Sequence, residues 1–292
     1  MGDEAAVSYE TLSPGDEARL DAFLARHAES SMFLRSNVRA AGFADQGALH
    51  QGSYAAAIRD GAIESVAGHF WNGVVVLQSP VEEHLPEVVA LATATSHRPV
   101  AGIAGPWDQV VAARAALGME EADTSRSSPE TLYALSLAEL RVPDALASGS
   151  LRCEVPASDR IEAAVAMRVA FCVEALGQSE TPGLWEGAAS ELRRLVDSGS
   201  TFVLTHDARA VAVGSFNARL PDCVQLGGVF TPPELRGRGY ARALVAGALL
   251  AARAEGVARA VLFTEIDNLP ARRAYEALGF RAVGTYGLCL FR

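Results

Sequence analysis

Two glycines and two arginines alternate in the hexapeptide RGRGYA, residues 236–241, where they could bind an anion. The segment lies between VQLGGVFTPPEL and the apolar run RALVAGALLAARA, a pattern that predicts a strand, a loop and a helix. A helix N-terminus presents backbone N–H groups without helical partners and the positive end of the helix dipole. Gly237 and Gly239 lack a Cβ atom, so the backbone could approach a diphosphate closely. Positive charge at the same place would come from Arg236, Arg238 and Arg242.

A glycine-rich turn with solvated arginines is the alternative interpretation of this hexapeptide. The strand, loop and helix pattern favours the anion site, because helix amides converge on a bound anion in that arrangement. A second glycine pair, Gly227-Gly228, lies inside the preceding strand pattern. Glycine within a strand indicates a bulge or a close backbone approach, with a simple edge irregularity as the alternative.

A second motif, NLPARRAYEALGF at residues 268–280, follows the apolar strand pattern ARAVLFTE. Proline near its start and glycine near its end predict a short helix from Pro270 to Leu278. The two motifs together resemble those of the GCN5-related N-acetyltransferase (GNAT) family, over most of residues 151–292. The pyrophosphate loop of that family has the form Q/R-x-x-G-x-G/A. The matching residues are Arg236, Gly239 and Ala241 in the loop and Asn268, Tyr275, Gly279 and Phe280 in the later motif.

The resemblance implies acetyl-CoA as the cosubstrate, with its diphosphate bound by backbone amides of residues 237–242. The pantetheine arm would pair like an extra strand with the backbone of Val229, Phe230 and Thr231, where two strands splay apart. The implied cofactor-binding residues are Val229, Phe230, Thr231, Arg236, Gly237, Arg238, Gly239, Tyr240, Ala241, Arg242 and Asn268.

The implied chemistry is direct attack of an amine on the thioester. An exposed amine with a pKa near ~10 must first lose a proton at neutral pH. A backbone N–H near Val229 or Phe230 is the candidate donor to the tetrahedral oxyanion. Tyr275 occupies the position from which relatives protonate the departing thiolate, although tyrosine on a short helix is otherwise usually a packing residue.

The general base is not identified by the sequence. The strand CVQLGGVF contains Gln225 and no carboxylate. Three carboxylates could act through water, although each also fits a surface or helix-cap role: Glu174, Glu265 and Asp267. The helical region that forms the acceptor pocket in the family contains Phe171, Glu174 and Trp185, with core packing as the alternative for the two aromatic residues.

The second half of the chain predicts a mixed α/β sheet. Periodicity and turn residues give the order strand, helix, helix, three antiparallel strands, helix, strand, helix and a final RAVGTYGLCLF segment that closes the sheet. Ser158 and Asp159 are expected to cap the first helix. A single parallel crossover is expected at the centre of this sheet.

The first half resembles the second weakly but in the same order, which indicates a duplicated fold. Residues 98–119 align without a gap on residues 259–280, and Arg114 falls at the position of Tyr275. The first half lacks 15 residues that include the counterpart of RGRGYA, and it has Glu82, Glu83 and Glu87 there instead. Because carboxylates at a helix start repel phosphate, the first half is predicted to bind no cofactor. The chain is therefore divided into a degenerate GNAT-like domain, 1–145, and a GNAT acetyltransferase domain, 146–292, in tandem.

The composition restricts the expected cellular location and the expected binding partners. The 292 residues have a formal net charge of −10 and no basic run, so nucleic acid is not an expected partner. The acidic N-terminus does not resemble a signal peptide, and the longest apolar stretch, 243–252, is too short to span a membrane. Four scattered cysteines and six dispersed histidines predict neither a metal site nor disulfides. We expect a cytoplasmic protein with a small-molecule or peptide amine as acceptor, and a homodimer is left open.

Two other functions remain open at this point. The tandem architecture resembles that of mycothiol synthase, which would make the acceptor the amine of a small thiol conjugate. A module that binds acyl-CoA for regulation and transfers nothing is the non-enzymatic alternative. The tyrosine beside an intact loop favours catalysis over sensing.

Overall fold

The computed structural model describes residues 6–292, and these divide into two compact units. The first unit consists of the chain up to Leu132 together with Gly284–Arg292, and the second of Tyr133–Val283. The division of the duplicated sequence at residues 145 and 146 stays a prediction. No helix among residues 6–292 is long and apolar enough to cross a membrane.

The first unit, as far as the structure describes it, is a mixed α/β unit. Its elements are β1 (Ser8–Thr11), α1 (Glu17–Ala25), α2 (Met32–Ala41), β2 (Gly52–Arg59), β3 (Ala62–Phe70), β4 (Val74–Gln78), α3 (Leu85–Ser96), β5 (Gly102–Pro106), α4 (Trp107–Ala116) and β6 (Thr124–Ser136), whose last four residues belong to the second unit. Neighbouring strands from β1 to β4 pair antiparallel, and β4 pairs parallel with β5.

The second unit follows the predicted order of elements. It contains α5 (Asp144–Ala147), β7 (Leu151–Glu154), α6 (Ile161–Leu176), α7 (Pro182–Asp197), β8 (Thr201–His206), β9 (Arg209–Arg219), β10 (Cys223–Phe230), α8 (Tyr240–Ala254), β11 (Arg259–Glu265), α9 (Leu269–Leu278) and the start of β12 (Arg281–Phe291). The strands from β7 to β10 pair antiparallel, and β10 pairs parallel with β11. The predicted mixed sheet with one parallel crossover is confirmed.

Two details of the sequence-based prediction are wrong. Residues 284–291 of β12 belong to the first unit, where Tyr286–Leu290 pair antiparallel with β5, so this segment does not close the sheet of the second half. Ser158 and Asp159 do not cap α6, since they lie in a 3-10 turn and the helix begins after Arg160 without a side-chain cap. Both errors concern the contacts that a segment makes with its neighbours, and not whether it lies in or next to a strand or a helix.

The sheet of the second unit is covered on both faces. The apolar helix α8 packs on one face with Leu226, Phe280 and Tyr275 in its cluster. The helices α6 and α7 pack on the other face, where the cluster includes Phe230. Other elements cover α8, since all of its residues from Ala243 to Leu249 are buried. The end of β10 therefore lies between the two helical layers.

The two helical glycines Gly247 and Gly187 should respond oppositely to alanine. A Cβ atom at Gly247 in α8 would lie 2.7 Å from the Sγ atom of Cys153 on β7, whereas one at Gly187 in α7 would meet nothing within 4 Å. Gly247→Ala should therefore lower the free energy of unfolding by about 1–3 kcal/mol through overpacking. Gly187→Ala should raise it by up to about 1 kcal/mol through helix propensity. Urea unfolding of both variants checks the pair, and a stabilised Gly247→Ala would contradict the close packing of β7 on α8.

Candidate active site

The RGRGYA loop connects a 3-10 turn at Pro233–Leu235 to the first residue of α8. Gly237 and Gly239 have φ angles of +77° and +79°, a backbone region that favours glycine. Gly239 is the N-cap of α8 and provides no side-chain cap, and the first helical hydrogen bond runs from Ala243 N to Gly239 O at 3.0 Å. Residues 236–239 are exposed. The amides of the first turn of α8 thus face an open, glycine-lined loop without steric cover.

Arg236 binds protein groups in addition to contributing charge. Its Nε donates to the carbonyl of Thr231 at 3.0 Å, and its Nη2 donates to both carboxylate oxygens of Glu174 at 2.7 and 2.8 Å. Its guanidinium also lies 5.6 Å from the centre of the Phe230 ring. Arg236 therefore ties the loop to the end of β10 and to α6, while Arg238 and Arg242 are exposed.

Tyr240 contributes only its backbone to the loop. Its side chain is buried in the cluster under α8, and its hydroxyl lies 2.8 Å from Nδ1 of His206. This inward packing fixes the first turn of α8 against the sheet. The side chain is a structural anchor, and its amide is the group that can face a ligand.

The end of β10 is irregular, as the glycine pair predicted. The pairing with β9 shifts between Gln225 and Leu226 and again between Gly227 and Phe230, and Gly228 has a φ of +60°. The parallel ladder with β11 covers Cys223–Gln225, and among the described residues it extends no further. The two central strands therefore part beyond Gln225, on the side where Val229 and Thr231 lie. This is the splay that the pantetheine prediction requires.

Tyr275 lies on α9, whose N-cap is Asn268. The Asn268 side chain accepts a hydrogen bond from Ala271 N at 3.2 Å, so its carboxamide oxygen is used for helix capping. Tyr275 is 8% exposed, and its ring contacts those of Tyr133 and Phe280 edge-on at 6.3 and 6.0 Å. The phenol is thus held by packing on both sides.

Tyr133 was not predicted from the sequence and joins this cluster from β6. Its hydroxyl donates to Glu276 at 2.8 Å and accepts from Nε of Arg272 at 3.1 Å, and both partners are on α9. Burial raises the pKa of Tyr133, Glu276 raises it further, and Arg272 opposes the shift. Tyr133 therefore stays protonated at neutral pH and holds α9 in place. It lies far from α9 in sequence, so no local pattern could have identified it.

The three carboxylates considered as bases are either paired with an arginine or exposed to solvent. Glu174 is paired with Arg236, and Glu265 and Asp267 are exposed at the end of β11 and beyond it. Gln225, the polar residue of β10, is buried, and its amide nitrogen donates to the Leu226 carbonyl at 3.1 Å. A directly placed carboxylate base is therefore not identified.

The predicted acceptor residues divide into two groups. Phe171 and Glu174 lie on α6, which contacts the end of β10, and the guanidinium of Arg168 lies 5.3 Å from the Phe171 ring. Trp185 lies on α7, is 39% exposed, and donates its indole N–H to Glu180 at 3.0 Å. Because Trp185 is this exposed, the core-packing alternative does not describe its environment.

The first unit has a different structure at the position that corresponds to the RGRGYA loop. After β4 the backbone N–H of Ser79 donates to the side chain of Gln109 on α4 at 2.7 Å, and both residues are buried. A 3-10 turn at Glu82–His84 replaces the glycine loop before α3. Arg114, at the position of Tyr275, donates to the carbonyls of Met119, Glu120 and Ala122 in the segment that follows its own helix. Within residues 6–292 the first unit therefore has a 3-10 turn where the second unit has the glycine loop.

Comparison with known proteins agrees with this geometry. Residues 170–280 match the model of the acetyltransferase (GNAT) family. A tandem GNAT protein from the clavulanic acid biosynthesis pathway is 16% identical, with a TM-score of 0.58 over 97% of this chain and 98% of that chain. A GCN5-related N-acetyltransferase from Sphaerobacter thermophilus is 14% identical, with a TM-score of 0.58 over 97% and 94%. A Drosophila protein is 12% identical, with a TM-score of 0.65 over 97% and 98%.

At these identities the solved structures demonstrate a shared fold, and it extends over both halves of the chain. The predicted fold of two GNAT-like domains is thereby confirmed. No curated protein matches the chain. Residues 170–280 thus match the acetyltransferase (GNAT) family model, and the chain as a whole shares its fold with solved GNAT proteins.

Proposed function

We propose that the chain transfers the acetyl group of acetyl-CoA to a primary amine, and that the second unit alone performs the transfer. The observation that supports this most strongly is the combination of an uncapped α8 N-terminus, a loop of two positive-φ glycines and a splay at the end of β10. These features lie in one unit, and each suits the binding of a diphosphate or of an extended pantetheine arm.

In this proposal the diphosphate accepts hydrogen bonds from amides of residues 237–242, and Arg238 and Arg242 add charge from the rim. Helix N-termini stabilise anions through unpaired N–H groups and the helix dipole. Arg236 holds the loop in shape through Thr231 and Glu174. Asn268 supports the site indirectly, since it caps the helix on which Tyr275 lies.

The pantetheine arm pairs with the backbone of Val229, Phe230 and Thr231, and the thioester then lies near the bulge of β10. A neutral amine attacks the carbonyl carbon, a backbone N–H near Val229 donates to the oxyanion, and the C–S bond breaks. Tyr275 donates its proton to the departing thiolate of CoA. The proton released by the amine passes to water, because β10 itself contains no carboxylate.

The test is an acyl-transfer assay with a panel of primary amines at a fixed concentration of acetyl-CoA. Release of the CoA thiol measures turnover, and mass spectrometry detects the acetylated amine. The proposal predicts stoichiometric thiol and N-acetyl product with at least one amine. Acetyl-CoA binding without turnover on any amine would contradict it and would favour the regulatory module.

A further inference from the structure

Arg168 lies beside the bulge of β10 and was not among the residues identified from the sequence. It is in the middle of α6, and its side chain is 18% exposed. A Cβ atom at Gly228 would lie 2.6 Å from Nη1 of Arg168, so the missing side chain of Gly228 makes room for the guanidinium. Gly227 makes room in the same way for the side chain of Asn217 on β9. The two glycines therefore leave space for the side chains of Asn217 and Arg168 at the place where β10 and β11 part.

One edge of the Arg168 guanidinium binds a carboxylate of the protein, and the other edge is available to a ligand. Its Nε and Nη2 donate to the carboxylate of Glu191 on α7 at 3.0 to 3.2 Å, and its Cζ lies 5.3 Å from the centre of the Phe171 ring. Within residues 6–292, Nη1 has no hydrogen-bond acceptor. An arginine has five N–H donors in a rigid fork, and Glu191 uses the Nε side. The Nη1 and Nη2 edge, next to Gly228, keeps the geometry that binds a carboxylate with two hydrogen bonds.

We propose that Arg168 binds a carboxylate of the acceptor, so that the acceptor is an amine with a carboxylate a few bonds away, as in an α-amino acid. This rests on the proposed function, because the reacting amine must reach a thioester near Val229. Gly228 is the adjacent residue, and consecutive Cα atoms are about 3.8 Å apart. A carboxylate on Nη1 is therefore close to the reaction centre, and only a short acceptor can bridge the two points.

Two carboxylates of this region are already paired with arginines, Glu191 with Arg168 and Glu174 with Arg236. The chain as a whole has a net charge of −10, so long-range attraction does not favour a carboxylate. Selection must come from the local fork, which makes Arg168 the residue that determines specificity.

The experiment compares amines in pairs that differ only in a carboxylate, such as L-phenylalanine with phenethylamine and L-leucine with isoamylamine. The wild type should have the higher kcat/KM for the carboxylated member of a pair. Arg168→Met, whose apolar chain can still pack on Phe171, should lower the ratio of kcat/KM within a pair by about 10- to 100-fold, the range for a hydrogen bond to a charged group. Arg193→Met removes the same charge from an exposed position on α7 and should leave the ratio unchanged.

Calorimetry of the same amines with the CoA-bound protein separates this inference from the proposed function. Tighter binding of carboxylated amines that Arg168→Met removes would support the inference even if no amine were acetylated, a result that would overturn the proposed function alone. Acetylation with equal kcat/KM for both members of each pair would overturn the inference and leave the function intact. A ratio that is the same in wild type and Arg168→Met would also overturn it. Double substitution with Glu191→Gln checks that the effect is not caused by the unpaired carboxylate.

Discussion

Gly239→Glu is expected to abolish acetyl-CoA binding, with at least a 100-fold loss of affinity, the equivalent of about 2.7 kcal/mol. Gly239 caps α8 at a φ of +79°, so any side chain strains the loop. The glutamate would also place a carboxylate at the helix N-terminus, where it competes with the diphosphate for the amides and repels it. Isothermal calorimetry with acetyl-CoA measures the loss, and far-UV circular dichroism checks that the helices remain.

Gly256→Glu is the matched control for this variant. Gly256 follows the other end of α8, has a φ of +92°, and a Cβ atom there would meet nothing within 4 Å. The same substitution therefore introduces similar backbone strain without approaching the loop. We expect Gly256→Glu to lower stability and to bind acetyl-CoA normally. Equal affinities of wild type and Gly239→Glu would rule out diphosphate binding at the loop.

Tyr275→Phe is expected to lower kcat by about 100-fold or more, because general acid catalysis contributes roughly 10²–10⁴. The affinity for acetyl-CoA should change little, since the substitution removes one oxygen and keeps the ring between Tyr133 and Phe280. A group that acts only in the transition state affects kcat and leaves ground-state binding unchanged. Steady-state kinetics with an amine from the panel, together with calorimetry, measures both effects.

Tyr54→Phe removes the same atom from a tyrosine of the first unit. Tyr54 is buried on β2, and its hydroxyl has no hydrogen-bond partner within residues 6–292. Its loss should leave kcat unchanged and raise stability slightly, because an unsatisfied buried hydroxyl is unfavourable. If Tyr275→Phe retained the wild-type kcat, the thiolate of CoA would have to leave without this acid.

Local features of the fold and the site could be predicted from the sequence. The RGRGYA loop was identifiable because its glycines, its arginines and the following apolar helix are adjacent in the chain. The stop of α9 at Gly279 was also local, and Gly279 has a φ angle of +105° in the structure. The irregularity at Gly227-Gly228 was predictable as a bulge.

The remainder depends on contacts between distant segments. The assignment of residues 284–291 to the first unit is determined by pairing with β5, which no local pattern encodes. Tyr133 reaches α9 across more than a hundred residues of sequence, and its hydrogen bonds to Arg272 and Glu276 are visible only in three dimensions. In the sequence, Arg168 is one polar residue of a helix. Its proximity to Gly228 of β10 is visible only in three dimensions.

The central claim is that the second half binds the cofactor and the first half does not. Amide hydrogen exchange with and without acetyl-CoA, followed by mass spectrometry of peptides, tests it most directly. We expect slower exchange in peptides that cover residues 229–242 and no change in those that cover residues 78–90, the equivalent region of the first half. Protection of residues 78–90, or unchanged exchange across 229–242 at saturating acetyl-CoA, would contradict it.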